Sequence, residues 1–312
     1  MGNLNIITLI LEYLIFPGFL FSSALGFLLL GFRRKIRARI QGRRGPPIIQ
    51  PFYDFMKLLV KEDIEPATAS KTAYRVAPIL SLASVTFASA LIPIGYYMPQ
   101  LSFTGDIILV FYLLSMLVFA TILGGSSSSN PYSAVSAARF ATMLIVFELP
   151  LVFTIATIAV WSKSLMLIQI ISTKRLGIEY AVLLPTAIAF LLYIMAKLYV
   201  NPFSIPVAET EILEGIYVEY TGRKLALFEL AHAIEFSVLT SLFVDFFIPL
   251  PNMGLITIIV HVILCILLAI LITFIEAIFA RIRIDQFVKF FGIYVNLLSI
   301  LGLVVTLLLL GW

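Results

Sequence analysis

The sequence predicts an all-α polytopic membrane protein, with about eight transmembrane helices and one amphipathic helix at the bilayer interface. Three observations carry that prediction. Of its 312 residues, 61% are hydrophobic and only 12% are charged, whereas roughly a quarter would be charged in a soluble domain. Mean hydropathy is +1.08. The apolar stretches run for about 20 residues or more, enough to cross the membrane as helices, while barrel strands alternate and span in roughly 9–11 residues. A cytosolic enzyme is thereby excluded.

Taken in order, the spans fall at roughly 6–32, 76–98, 107–124, 140–161, 180–200, 225–248, 254–279 and 291–311. Only Met1 to Asn5 precede the first, with no basic residue among them, so it is expected to remain as a membrane helix and not to be cleaved as a signal peptide. The chain reads as a single membrane domain, 1–312, carrying a basic loop at 33–75 and an acidic loop at 201–224. Eleven Lys and Arg lie between Arg33 and Arg75, and Arg139, Arg223, Lys224, Arg281, Arg283 and Lys289 fall on the same side. Only Lys163, Lys174 and Arg175 fall opposite. The positive-inside rule therefore places the basic loop in the cytoplasm of a cell membrane and both termini outside.

Charges inside the spans point to ion movement. Glu148, Lys197, Glu229, Glu235, Asp245 and Glu276, with His232 and His261, lie within or at the edges of spans, where an ionised carboxylate costs about 2.5–3.5 kcal/mol on insertion scales. Desolvation and mutual repulsion raise carboxylate pKa values, so such a row can hold and pass protons. Glu276 and Asp245 sit near span ends, where snorkelling serves as well as an interior role. His261 has no charged neighbour at i±3 or i±4 and reads as a helix-packing residue.

Glu229, His232 and Glu235 recur every three residues, along one slowly turning face. Glu-x-x-His resembles half of a di-iron site, but no second copy exists in the chain. Glu148 precedes Pro150, whose ring frees a carbonyl in the turn before it; the glutamate then belongs to a relay or merely caps a kink. In the acidic loop Glu209, Glu211, Glu214 and Glu219 stand on the positive side, where anionic lipid would be repelled, so they suit protonation or a basic partner. The single cysteine, Cys265, leaves no set of thiolates for a cluster or metal, so no cofactor or metal is expected in this chain.

Three stretches resemble the membrane subunit that lines the quinone chamber of respiratory complex I, and its counterparts in membrane-bound energy-converting hydrogenases. Gln41-Gly-Arg43-Arg44-Gly45-Pro46-Pro47, followed by Lys57-Leu-Leu-Val-Lys61-Glu62, is similar to that family's Gln-x-Arg-x-Gly-Pro loop and amphipathic helix. Gly45, Pro46 and Pro47 make a rigid turn there, and Ile48, Phe52, Phe55, Met56 and Leu59 an apolar stripe fit for the interface. Ala138-Arg139-Phe140 through Glu148-Leu-Pro150 is similar to a second family segment. Asn201-Pro202-Phe203 through Glu219-Tyr220-Thr-Gly222 is the most specific of the three, and Arg281-Ile-Arg283-Ile-Asp285-Gln286 resembles the closing loop.

The resemblance implies a non-catalytic subunit of an oxidoreductase complex. Its proton relay would comprise Glu148, Glu209, Glu211, Glu214, Glu219, Glu229, His232 and Glu235. Arg33, Arg34, Arg37, Arg39, Arg43, Arg44, Arg281, Arg283 and Asp285 would dock a soluble redox arm, although residues alone favour anionic lipid for the basic run. Implied partners are a homologue of nickel–iron large subunits, an iron–sulfur small subunit and antiporter-like membrane subunits, with iron–sulfur and nickel–iron centres held in those chains; no nucleic acid is implied. Gly45-Pro46-Pro47 runs straight into Gln50-Pro51, shorter than in the quinone enzymes. Lys197, Val207, Glu229 and His232 also depart from their pattern, and the hydrogenase branch with its sulfane-sulfur-reducing relatives fits better. Ile48, Ile49 and Phe52 are expected to fill the place of a quinone tunnel mouth. A true quinone-binding subunit is the first alternative and a stand-alone secondary transporter the more distant one, though the two halves show no clear self-similarity.

Overall fold

A computed structural model describes residues 6–97, 99, 101–173 and 178–310, and among them every regular element is helical. Met1 to Asn5, Lys174 and Arg175 lie outside the described residues. The first span breaks into α1 (Ile6–Leu14) and α2 (Phe19–Ile40). Pro17 has no N–H to continue the ladder, and Gly18 N–H reaches back to the Glu12 carbonyl at 3.0 Å. Helix α2 does not stop near Phe32 as expected. It carries Arg33–Arg39 onward as helix and ends where Gly42, at φ +71°, takes the left-handed conformation that closes many helices. The basic segment therefore begins as a rigid rod. Gly45 turns back onto that rod, where a Cβ would lie 3.0 Å from Lys35 Cα.

The remaining helices are α3 (Gln50–Val60), α4 (Lys71–Leu91), α5 (Asp106–Ser127), α6 (Pro131–Ser162), α7 (Leu167–Ser172), α8 (Leu184–Lys197), α9 (Glu209–Ile212), α10 (Gly222–Phe247) and α11 (Leu255–Ile278). The last span joins α12 (Ile284–Lys289), a π turn (Phe290–Val295) and α13 (Asn296–Leu310). Among the described residues seven helices are long and apolar enough to cross a membrane; the eighth, Ala181–Lys197, is shorter than the stretch expected at 180–200. Helix α6 starts near Pro131, well before residue 140, because Asn130 caps it by accepting from Tyr132 N–H at 2.8 Å. It also continues unbroken past Pro150.

Helix α10 is the axis of the bundle. In its most apolar window 78% of residues are buried, against 33% in α11 and 28% in the last helix, so α10 faces protein where those two face outward. Helices α2, α4, α3 and α11 all pack on it. At Gly26 of α2 an added Cβ would lie 1.9 Å from the Ala233 carbonyl oxygen, so only glycine allows that approach. On α3 the apolar residues split between two sides. Phe55 turns inward onto Phe27 at 5.5 Å with Leu58 buried, while Ile49, Phe52 and Met56 stay exposed. Ile49 thus lies on the exposed side, while the half-exposed Phe52 also reaches the Phe27 ring edge-on at 6.2 Å, beside Phe55 and Leu58 three and six positions on.

Polar stitching fixes one end, called here the basic end. Ser136 donates to the Pro206 carbonyl at 2.6 Å, Ser133 to the Gly215 carbonyl at 2.9 Å, and Ile282 N–H to the Pro202 carbonyl at 3.1 Å. The loop from 199 to 221 is therefore a packed part of the bundle.

Gly26→Val is expected to lower the stability of the solubilised protein by roughly 1–3 kcal/mol through overpacking of α2 on α10. Gly292→Ala, whose Cβ would meet nothing within 4 Å, should leave it unchanged. Thermal melts followed by intrinsic fluorescence check both.

Candidate functional site: a charged chamber and a row of carboxylates

A cavity of about 450 Å³ opens at the basic end between α2, α10, the end of α11 and the 199–217 loop. Its walls include Arg33, Arg34, Arg37, Glu214, Glu229, His232, Glu276 and Arg281, with Leu30, Val207, Leu225 and Phe228 between them. Glu276 does not snorkel. Its side chain is 2% exposed and receives both Arg33 (2.8 and 3.1 Å) and Arg37 (3.1 Å). A bidentate guanidinium pair of this kind is the strong form of ion pair. It exists because α2 continues as helix past Phe32, which sets Arg33 and Arg37 one turn apart. Arg34 turns instead to Asp54 of α3 at 2.6 Å. Partial burial pushes the Asp54 pKa upward, but hydrogen bonds from Gln50 and Arg34 outweigh it and hold the carboxyl below its usual range.

From the chamber a row of ionisable groups leads inward along α10. Glu229 lines the wall within electrostatic reach of Arg34, Asp54, His232 and Glu214. One turn on, His232 Nδ1 lies 3.4 Å from Glu235 Oε2, and Glu235 is fully buried. Neither Glu235 oxygen has a hydrogen-bond partner among the described residues. The ring of Tyr199 stacks on His232 with centroids 6.4 Å apart. Tyr199 is held at φ +52°, a left-handed conformation that costs a non-glycine residue. Tyr199 and Tyr193 both lie within reach of the charges of Glu235 and Glu148. Both hydroxyls are buried without a hydrogen-bond partner among the described residues.

Glu148 closes the row. It pairs with fully buried Lys197 at 3.3 Å and accepts from Ser115 at 2.9 Å, while its second oxygen is buried without a partner among the described residues. Lys197 Nζ also sits 5.2 Å from the centre of the Phe147 ring, close enough for a cation–π contact. Buried polar atoms without protein partners need water or a proton. The groups from Glu229 through Glu235 to Glu148, with the hydroxyls of Tyr193 and Tyr199 between them, are of the chemical types a proton path uses.

The other acids of the sequence analysis lie elsewhere. Glu211 is exposed at the surface and pairs with Arg139 at 2.8 Å and Arg281 at 3.7 Å; the hydrogen bond from Arg139, with the charges of Arg139 and Arg281, holds its carboxyl below the ordinary value. Glu211 therefore remains ionised at neutral pH. Glu219 accepts from Asn130 Nδ2, against the aromatic pair Tyr74–Tyr220. Glu214 is on the chamber wall, and the Glu209 side chain lies outside the described residues. Of the docking candidates, Arg39, Arg43, Arg44, Arg283 and Asp285 are all exposed. Tyr193, Tyr199 and Ser115 were not singled out from sequence; only the spacing of Tyr193 to Lys197, one helical turn, could have pointed to them. Among the described residues no three His, Cys, Asp or Glu side chains gather as a metal would require.

A clasp beside the chamber offers a pH test. Glu65 binds Arg75 at 2.7 Å and Lys224 at 2.6 Å, and these hydrogen bonds lower its pKa from about 4.5 to about 2. Because the folded value is depressed, the stabilisation is present above about pH 4.5 and is lost as pH falls toward about 2. Hydrogen exchange of the Ile64 amide, which donates to Thr221 Oγ1 at 3.0 Å, should accelerate across that window after correction for intrinsic rates. Glu65→Gln should remove the acid dependence.

The chain matches the family model described as NADH dehydrogenase over residues 12–307. It is 33% identical over 268 residues to an NADH-quinone oxidoreductase subunit of Thermomicrobium roseum, covering 77% of this chain and 78% of the relative. Against the corresponding subunit from Brevibacillus brevis, identity is 32% over 300 residues, covering 90% and 88%. In fold it is similar to a chain of the membrane-bound sulfane sulfur reductase, an archaeal respiratory membrane complex, with a TM-score of 0.86 and 27% identity over 96% of this chain and 99% of that one. The chain is a multi-pass membrane subunit of the complex I-like kind and belongs to the NADH dehydrogenase family.

Proposed function

We propose that this subunit anchors a soluble redox arm at its basic end and relays protons from the chamber into the membrane part of a hydrogenase or sulfane-sulfur-reductase complex, coupling electron transfer to H⁺ or Na⁺ translocation. The observation that carries this reading is the row Glu229, His232, Glu235 and Glu148–Lys197, which begins half-buried at the chamber and includes fully buried Glu235 and Lys197. Chemistry would occur in the partner chains: a homologue of nickel–iron large subunits and an iron–sulfur small subunit carry the redox centres, and antiporter-like subunits receive the effect. In this reading the basic end faces the cytoplasm of a cell membrane, both termini lie outside, and Arg39, Arg43, Arg44 and Arg283 with Asp285 meet the arm.

Glu211 fits a different part. Locked between Arg139 and Arg281, it acts as a fixed charge that holds the loop to α6, leaving proton exchange to the buried acids. The chamber also keeps a quinone-binding reading in view, since relatives carry NADH-quinone oxidoreductase in their names. Its volume of about 450 Å³ is also a usual size for a small-molecule site. Four arginines and three glutamates in its lining suit water and ions better than a quinone ring.

Glu235→Gln and Glu148→Gln keep size and remove the exchangeable carboxyl proton. In the purified complex reconstituted in vesicles, each should lower ion translocation at least about tenfold while subunit composition and electron transfer to the acceptor persist. Translocation at the wild-type rate in both variants would overturn the relay.

A further inference from the structure

We infer that Asp245 and His261 form a second proton-binding site, separate from the row described above and in exchange with the face opposite the chamber. Asp245 lies two residues before the end of α10 and His261 six residues after the start of α11. His261 Nδ1 is 3.6 Å from Asp245 Oδ1, and both side chains are at most 1% exposed. With one proton bound the pair carries no net charge, whereas with none it leaves an uncompensated carboxylate and with two an uncompensated imidazolium inside protein, both costly.

Polar groups between the pair and the opposite face lie close by. Thr257 stands one turn before His261 on the same face of α11. It is buried and donates to the Pro251 carbonyl at 2.6 Å in the exposed 251–254 loop. Gly95 packs against Thr257, and two residues later Tyr97 donates to Glu12 at 2.9 Å. One turn further in along α10, Ser237 and Ser241 with Ser22 and Ser89 line part of a small, otherwise apolar space of about 10 Å³, about the size of one water molecule. Ser241 is one turn before Asp245 and 3.8 Å from Cys265 Sγ. Glu235 is ten residues away along α10, about 15 Å by helical rise.

Cys265 of α11 lies within electrostatic reach of Asp245; the other titratable groups at this end are Tyr96, bonded to the Leu250 carbonyl, Tyr97 with Glu12, and Asp106, bonded to Leu167 N–H of α7. On the other elements packed against α10, Arg33, Arg34 and Arg37 of α2, Asp54 and Lys57 of α3, Lys71, Tyr74 and Arg75 of α4, and Glu276 of α11 all lie at the basic end. Tyr193 and Lys197 of α8 border Glu148. The fixed cations on these elements therefore stand toward the basic end or beside Glu148. The site is independent of the relay proposal: either could fail alone.

The chain contains two histidines, so a ¹⁵N-histidine spectrum of the whole complex minus that of His261→Gln isolates the His261 resonances. In uniformly oriented vesicles, the His261 signal should titrate with pH on the face opposite the chamber and stay fixed when only the chamber side is changed. Asp245→Asn should weaken proton binding at His261 by about tenfold or more, one pH unit in midpoint. If Asp245→Asn does not assemble, the sided titration of the wild-type complex decides alone. A His261 signal that is constant from roughly pH 5 to 9 on both faces, that follows the chamber side, or that keeps its midpoint in Asp245→Asn would overturn the site.

Discussion

The cost of charge inside hydrocarbon organises this protein. An ionised carboxylate in a span costs about 2.5–3.5 kcal/mol on insertion scales and survives only by facing the bundle interior with a partner. Four acids of the spans meet that demand differently. Glu276 receives two arginines, Glu148 a lysine and a serine hydroxyl, Glu235 a histidine, and Asp245 another histidine. Three of these four partnerships involve α10 or α11. Helix α10 must therefore be the buried axis, and Gly26 is needed to let α2 reach it.

Two chemical classes of acid result. Glu211, Glu65 and Asp54 sit at the basic end against guanidinium or ammonium groups that depress their pKa values, and they serve as fixed charges that clamp loops to helices. Neither Glu235 oxygen has a hydrogen-bond donor among the described residues, and Glu148 has one oxygen without a donor while the other faces Lys197 and Ser115. Separation of fixed from exchangeable charge is what a proton-coupled chamber needs. In the proposed function, electron transfer beside the chamber would change the local potential while the clamped walls hold their shape, and the remaining acids would answer it.

Much of this was legible in the sequence. Length of apolar runs, the spacing of Glu229, His232 and Glu235, and the excess of basic residues on one side follow from periodicity and transfer free energy alone. The extension of α2 through Arg39 was not, because hydropathy ends a span at the first arginine while helix propensity does not; the pairing of Arg33 and Arg37 with Glu276 joins segments far apart in the chain and has no local signature. Glu211 illustrates the same limit. Its loop reads as an acidic patch until folding brings Arg139 and Arg281 beside it. Tyr193 and Tyr199 were hidden because aromatic residues in apolar helices are ordinarily packing groups. The exposure of Ile49 and Phe52 on α3 likewise depends on which face Phe55 and Leu58 present to Phe27, a choice that amphipathic periodicity leaves open.

The account stands on carboxyl groups of this chain changing protonation when the redox centres of the complex turn over. Redox-induced infrared difference spectroscopy of the intact complex, in light and heavy water, measures that change directly. The account predicts a deuterium-sensitive band of a protonated carboxyl that appears or shifts on reduction in the wild type and is lost in Glu235→Gln or Glu148→Gln. Identical difference spectra in the wild type and both variants would contradict it.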